Sequence, residues 1–190
     1  MRTYDEEVKL AVEALKAGKV ILYPTDTIWG LGCDATNAKA VAKIYKIKQR
    51  VEKKSLIALV DSEVRLVQYV KKVPELAYDL IRNAASPISI VYPEAQNLAK
   101  NMIGADKTVC IRITTNEFCI AIIQGLGKAI TSTSANISGQ ASPLIFSHIS
   151  NEIKLAVDHI VGLYQDEVEI PKASTIIKLE QDGKYEILRH

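Results

Sequence analysis

The sequence predicts an α/β fold, one mixed and twisted sheet of parallel and antiparallel strands covered by helices. Short apolar strands alternate with segments of helical period through most of the chain, which implies α/β layering. The last thirty residues are strand-rich, which implies some antiparallel pairing. At 190 residues, 48% of them hydrophobic, the chain is long enough to bury a proper core as a single domain over 1–190.

Residues 5–17 place Val8, Ala11, Val12 and Leu15 at helical spacing, and Gly18 stops the helix. Residues 20–23 form a short buried strand closed by Pro24. Asn37 caps a helix from 38 to about 48, with Val41, Ile44 and Tyr45 inward. Residues 56–60 are a second buried strand. Helices follow over 63–70 and 74–84, with Pro74 at a first helical position. Strands are expected at 87–92 and 108–113, and a helix at 117–125 stops at Gly125-Leu126-Gly127. Residues 129–131 begin a strand that opens into a hydroxyl-rich loop. A helix lies within 149–157. The tail supplies strands near 159–163, 174–179 and 185–188, the last two joined by a hairpin-like turn at 181–184.

Composition narrows the function. A net charge of +2 is too small to announce a nucleic-acid protein without a local cluster. Cys33, Cys110 and Cys119 are odd in number and widely spaced, which fits reduced thiols in a cytoplasmic protein. There is no Cys-x-x-Cys, and His148, His159 and His190 crowd the last quarter, so no metal site is expected. The acidic start lacks the apolar core of a signal peptide, and no apolar run reaches the roughly 20 residues of a membrane span.

Three stretches could carry chemistry. In Y-P-T-D-T-I-W-G-L-G (23–32), Thr25 and Thr27 put hydroxyls at the carboxyl end of a strand, where open α/β sheets bind ligands. Gly30 and Gly32 permit close backbone approach or positive φ. The stretch is neither a P-loop nor a dinucleotide fingerprint, and a capped turn is the competing interpretation. From Lys39 to Lys54 there are seven Lys or Arg and one Glu. That is either a solvated helix face or, because it runs into a strand entry, a site for a polyanion. The third stretch, 132–139, reads S-T-S-A-N-I-S-G and offers neutral donors and acceptors with no histidine beside them. It suits recognition of a polar ligand better than nucleophilic hydrolysis, and the G-x-S-x-G elbow is absent. Arg112 takes the strand face opposite Val109, Ile111 and Ile113. It either meets water or, if that face is covered, has an anionic partner.

In this order, along nearly the whole chain, these stretches resemble the YrdC family, the L-threonylcarbamoyladenylate synthases. The matching pieces are 23–32, Ile47-Lys48-Gln49-Arg50 with Lys54 downstream, 132–139, Ala173-Ser174-Thr175-Ile176-Ile177, and Ile187-Leu188-Arg189. The resemblance implies a YrdC-like fold with a concave basic groove. It also implies a reaction in which L-threonine, bicarbonate and ATP give threonylcarbamoyl-AMP and pyrophosphate. Downstream proteins then use the product to modify adenosine 37 of tRNAs. By the same resemblance Lys48, Arg50, Lys54, Ser134, Asn136, Ser142 and Arg189 hold ATP, with Mg²⁺ assisting. Thr27, Arg112, Ser132 and Ser174 hold threonine, Thr25 and Thr27 forming one wall of its pocket. No acid or base is assigned.

The residue types suit that chemistry. A carbamate must approach a triphosphate, and two unit charges at about 4 Å repel by about 4 kcal/mol at an effective dielectric near 20. Fixed cations must offset the repulsion and orient the attack. Three positions depart from the family pattern. Val51 replaces a proline after the K-x-R arginine, Ala84-Ala85-Ser86-Pro87-Ile88-Ser89 replaces a W-P-G-P-led strand, and Leu59 stands where some relatives have histidine. The rival from another class is an RNA-binding protein using the 39–54 cluster. It leaves two hydroxyl-rich strand ends unexplained, and 6% aromatic residues offer few stacking platforms. An RNA contact read by shape stands as a secondary property.

Overall fold

A computed structural model describes residues 2–50, 56–167 and 174–189. Six α-helices are described: α1 (Tyr4–Lys16), α2 (Ala38–Ile47), α3 (Glu63–Leu66), α4 (Glu75–Asn83), α5 (Glu117–Leu126) and α6 (Asn151–Ala156). The strands are β1 (Ile21–Tyr23), β2 (Gly30–Gly32), β3 (Ile57–Val60), β4 (Ile88–Tyr92), β5 (Val109–Ile113), β6 (Ile130–Ser134), β7 (His159–Ile160), β8 (Thr175–Leu179) and β9 (Tyr185–Arg189). They form one sheet in the order β7-β1-β2-β6-β3-β5-β4-β8-β9. The pairs β1–β7, β3–β5 and β4–β8 are parallel and the others antiparallel, the expected mixed sheet.

Local chemistry sets the helix ends. Thr3 accepts from the Glu6 amide while the Glu6 carboxylate accepts from the Thr3 amide, a capping box that starts α1. Asn37 and Asn116 cap α2 and α5 with their side-chain oxygens. Gly127, at φ 77°, ends α5 in the left-handed conformation.

Residue alternation divides the sheet into two faces. One face presents Ala58, Val60, Ile90, Tyr92, Val109 and Ile111 to α2, α3 and α4, forming the larger core cluster. The opposite face carries Ile21, Tyr23, Leu59 and Ile130 against α1 and α5. A third cluster packs Leu22, Trp29 and Leu31 against Ile153 of α6.

Several elements differ from expectation. The Gly30-Leu31-Gly32 run is a strand, not a turn, pairing with both β1 and β6. Its glycines serve close packing: a Cβ on Gly32 would sit 2.5 Å from Tyr23 Cε1 and 3.0 Å from the Thr131 carbonyl oxygen. The Tyr23 ring is held there because its hydroxyl donates to that same carbonyl at 2.8 Å. Strand β6 runs on through Ser134, so Ser132, Thr133 and Ser134 stand on a strand and not in a loop. Helix α3 is one turn long where 63–70 was expected, β7 holds two residues, and Pro74 occupies the capping position of α4 and not its first turn.

Gly32→Ala is expected to destabilise the fold by about 1–3 kcal/mol, because neither the pinned Tyr23 ring nor the Thr131 backbone can retreat. Urea unfolding followed by circular dichroism measures this, and Gly127→Ala, with open space around its Cβ, separates crowding from backbone strain.

Candidate active site

Helices α1 and α5 cover only part of their sheet face. Along β6, Ile130 lies under them, Ser132 at the border, and Ser134 beyond it. Where cover ends, a cavity of about 200 Å³ opens. Arg50, Arg112 and Arg189 all line it. Thr27, Ser132, Ser134, Ser142 and Ser174 add hydroxyl-bearing walls. Residues separated by up to 162 positions along the chain (189 − 27) thus meet at one hollow.

Each arginine is aimed by its own element. Helix α2 ends with Gln49 in the left-handed region at φ 49°, and the Arg50 amide donates back to the Tyr45 carbonyl at 2.9 Å. This helix-ending motif turns the chain sharply toward the cavity. Arg50 Nη1 lies 3.5 Å from Thr133 Oγ1, and burial lowers the guanidinium below its usual pKa. Arg112, on β5, is 2% exposed, and its Nη2 lies 3.0 Å from Asp26 Oδ1. The covered face therefore supplies the anionic partner that burial requires. Arg189, on β9, donates to the Ser174 carbonyl from Nε (3.1 Å) and Nη2 (2.7 Å), and from Nη2 to Ser174 Oγ (3.2 Å). Ser174 Oγ is in turn 2.9 Å from Ser89 Oγ, and both serines are buried.

The threonines divide their labour. Thr27 lines the cavity, whereas Thr25 does not. Thr25 Oγ1 donates to the Ile28 carbonyl (2.8 Å), accepts from the Thr27 amide (3.1 Å) and lies 3.1 Å from Thr27 Oγ1. Thr25 shapes the segment, and Thr27 presents its hydroxyl.

Lys48 and Asn136 stand behind the wall and not on it. The Lys48 ammonium donates to the carbonyls of Ser134 (2.5 Å) and Asn136 (2.8 Å) and to Asn136 Oδ1 (3.3 Å). Asn136 Oδ1 also accepts from Ser134 Oγ, while its Nδ2 donates to the carbonyls of Ile137 and Gln140. The lysine thus clamps the end of β6 to the end of α2. Burial, reinforced by the Arg50 charge, lowers its pKa to about 8. Lys54 and Val51 lie outside the described residues. Leu59 is fully buried in the core beneath α1 and α5, in register with Arg112, and brings no polar group to the cavity.

The basic run of 39–54 is split between tasks. Lys43 pairs with Asp158 at 2.6 Å, Lys48 is internal, and Arg50 lines the cavity. Among the described residues no group of three or more His, Cys, Asp or Glu could hold a metal ion, and no helix is long and apolar enough to cross a membrane. Burial pushes the Cys110 thiol up to about 12, far from a nucleophile's range.

Asp26 and Ser89 had drawn no assignment from sequence. The demand of a buried arginine for an anion was the signal for Asp26. Ser89, invisible in sequence, is found only through the pairing of β4 with β8.

The Sua5/YciO/YrdC family model, described as telomere recombination, matches residues 13–190. The chain belongs to the Sua5/YciO/YrdC family. Within that family it is 36% identical to a threonylcarbamoyl-AMP synthase of Pseudoalteromonas translucida over 163 residues, 84% of this chain and 85% of that protein. It is 32% identical to a threonylcarbamoyl-AMP synthase of Vibrio cholerae over 183 residues, 93% of this chain and 97% of that one. The crystal structure of Pyrococcus abyssi Sua5 complexed with L-threonine superposes with a TM-score of 0.89 at 28% identity, covering 100% of this chain. This chain spans 55% of that archaeal protein.

The Lys48 clamp has a pH signature. Its folded pKa lies below the unfolded value of 10.5, so the folded state carries a penalty for the charged form below about pH 8. Between about pH 8 and 10.5 the unfolded chain retains the proton that the folded one has released, so this group makes stability rise with pH. The expected gain is at most about 3 kcal/mol. Urea unfolding of the protein and of Lys48→Met across pH 7 to 10 checks it, the variant showing a flatter or falling trend.

Proposed function

We propose that this chain condenses L-threonine, bicarbonate and ATP to threonylcarbamoyl-AMP and pyrophosphate, as a nucleotidyltransferase supplying tRNA modification at adenosine 37. The observation that carries the reading is the convergence of Arg50, Arg112 and Arg189 on one hydroxyl-lined cavity. Two anions must meet there, and the guanidinium groups supply the cationic charge and the directed donors that such a meeting needs.

Arg112, with a planar fork and a buried anchor, holds the threonine carboxylate, and Thr27, Ser132 and Ser174 contact the rest of the amino acid. Arg50 and Arg189 hold the phosphates, with Ser134 and Ser142 beside the nucleotide and Lys54 as a further cation of the same site. Lys48 and Asn136 serve that nucleotide site by clamping the wall that carries Ser134. Hydroxyls and guanidiniums suit phosphate oxygens rather than a divalent cation, so Mg²⁺ enters as the MgATP complex.

Among the described residues, none of the side chains lining the cavity is a carboxylate or a histidine. Rate enhancement here comes from placing the carbamate oxygen in line with the departing pyrophosphate and offsetting their repulsion. The product, an acyl adenylate, passes to cytoplasmic proteins that transfer the threonylcarbamoyl group to tRNA.

Pyrophosphate release should need ATP, threonine and bicarbonate together, whereas RNA binding without this turnover would favour the rival reading. Arg50→Ala should abolish nearly all turnover with the circular dichroism spectrum unchanged. Arg112→Lys keeps the charge opposite Asp26 but loses the fork. It should raise the threonine KM about tenfold or more and leave the ATP KM within about twofold. Steady-state kinetics with each substrate varied in turn distinguishes the two.

A further inference from the structure

Asp26, the aspartate of the T-D-T segment, has no part in the proposed reaction, yet it is the group that Arg112 touches. Asp26 Oδ1 lies 3.0 Å from Arg112 Nη2, with side chains 7% and 2% exposed. Asp26 does not line this cavity; it lines two neighbouring hollows, one of which shares Thr27 and Ile28 with it. We infer that Asp26 is a positioning and specificity residue, setting Arg112 for a single carboxylate and, by cancelling its charge, keeping polyphosphate at the Arg50 and Arg189 end.

The inference rests on the reaction proposed above. A carboxylate group and a triphosphate share one cavity, and a buried guanidinium attracts whichever reaches it first. Paired with Asp26, Arg112 is part of a neutral unit. A zwitterionic amino acid, neutral overall, still gains the directed hydrogen bonds of the fork, and a triphosphate gains little net attraction. A donor for that bond remains: Arg112 Nε is buried and has no hydrogen-bond partner among the described residues, and Asp26 Oδ1 meets the guanidinium as an ion pair without a hydrogen bond. Arg189 differs, since its guanidinium donates only to the neutral oxygens of Ser174 among the described residues and keeps its charge for phosphate. The same three-residue segment also fixes Thr27 through Thr25. One stretch of chain therefore sets two groups of the amino-acid subsite.

Calorimetric titration with threonine, without ATP or bicarbonate, tests this, with tripolyphosphate as the competing probe. For the unmodified protein, saturating tripolyphosphate should shift the threonine Kd by less than about threefold. Asp26→Asn, equal in shape but neutral, should weaken threonine about tenfold and make tripolyphosphate competitive with it. Asp26→Glu, which keeps the charge, should restore exclusion. A purely structural role would lower the melting temperature without altering competition. Unchanged threonine affinity and exclusion in Asp26→Asn would overturn the inference. Asp26→Asn leaves a buried charge unpaired, and if it does not fold, the other two proteins decide. Displacement of threonine by tripolyphosphate from the unmodified protein overturns the inference, as does loss of exclusion in a folded Asp26→Glu. No threonine binding by the unmodified protein overturns the reaction itself, and the inference with it.

Discussion

A guanidinium buried in the middle of a sheet demands a carboxylate, and much of this architecture answers that demand. Arg112 stands on β5, and its partner comes from the segment between β1 and β2. In the sheet, β1 and β5 are separated by β2, β6 and β3. The 24–29 segment must therefore reach back over the sheet to deliver Asp26, and in doing so it becomes a wall of the cavity. Removing either member of a buried pair typically costs about 3–5 kcal/mol, which is ample to hold a short irregular segment in place.

The cavity exists because one sheet face is only part covered. Alternation lets a single strand serve both regimes: β6 gives Ile130 to the apolar layer and Ser132 and Ser134 to the opening, two residues apart each time. The opposite face is covered by α2, α3 and α4 and supplies most of the larger core. Rigidity on one side permits a polar hollow on the other. Behind the wall, Lys48 saturates the carbonyls at the end of β6, so the hydroxyls facing the cavity are backed by satisfied backbone.

The sequence was legible where periodicity is long or apolar runs are continuous. Helices α1, α2 and α5 and strands β3, β4 and β5 stand within a residue or two of expectation, because capping residues and buried faces agree there. Strand β2 was hidden, since two glycines in three residues read as a turn. What makes it a strand is the Tyr23 ring laid against it, a tertiary fact. The hydroxyl run 132–134 hid the end of β6 in the same way. Eight of the predicted binding residues line one cavity: Thr27, Arg50, Arg112, Ser132, Ser134, Ser142, Ser174 and Arg189. Lys48 and Asn136 turn inward because carbonyls 86 and 88 positions away from the lysine claim its ammonium. Local pattern cannot report such a partner.

Strand β9 sits at the border of the sheet, hydrogen-bonded on one side to β8, with all five of its residues exposed. It nevertheless carries Arg189, and β8 begins one residue after Ser174. An edge strand with little buried surface unzips at lower free energy than central strands. The Arg189 side of the cavity can therefore come and go by fraying of β9, while the doubly packed middle of the molecule stays folded.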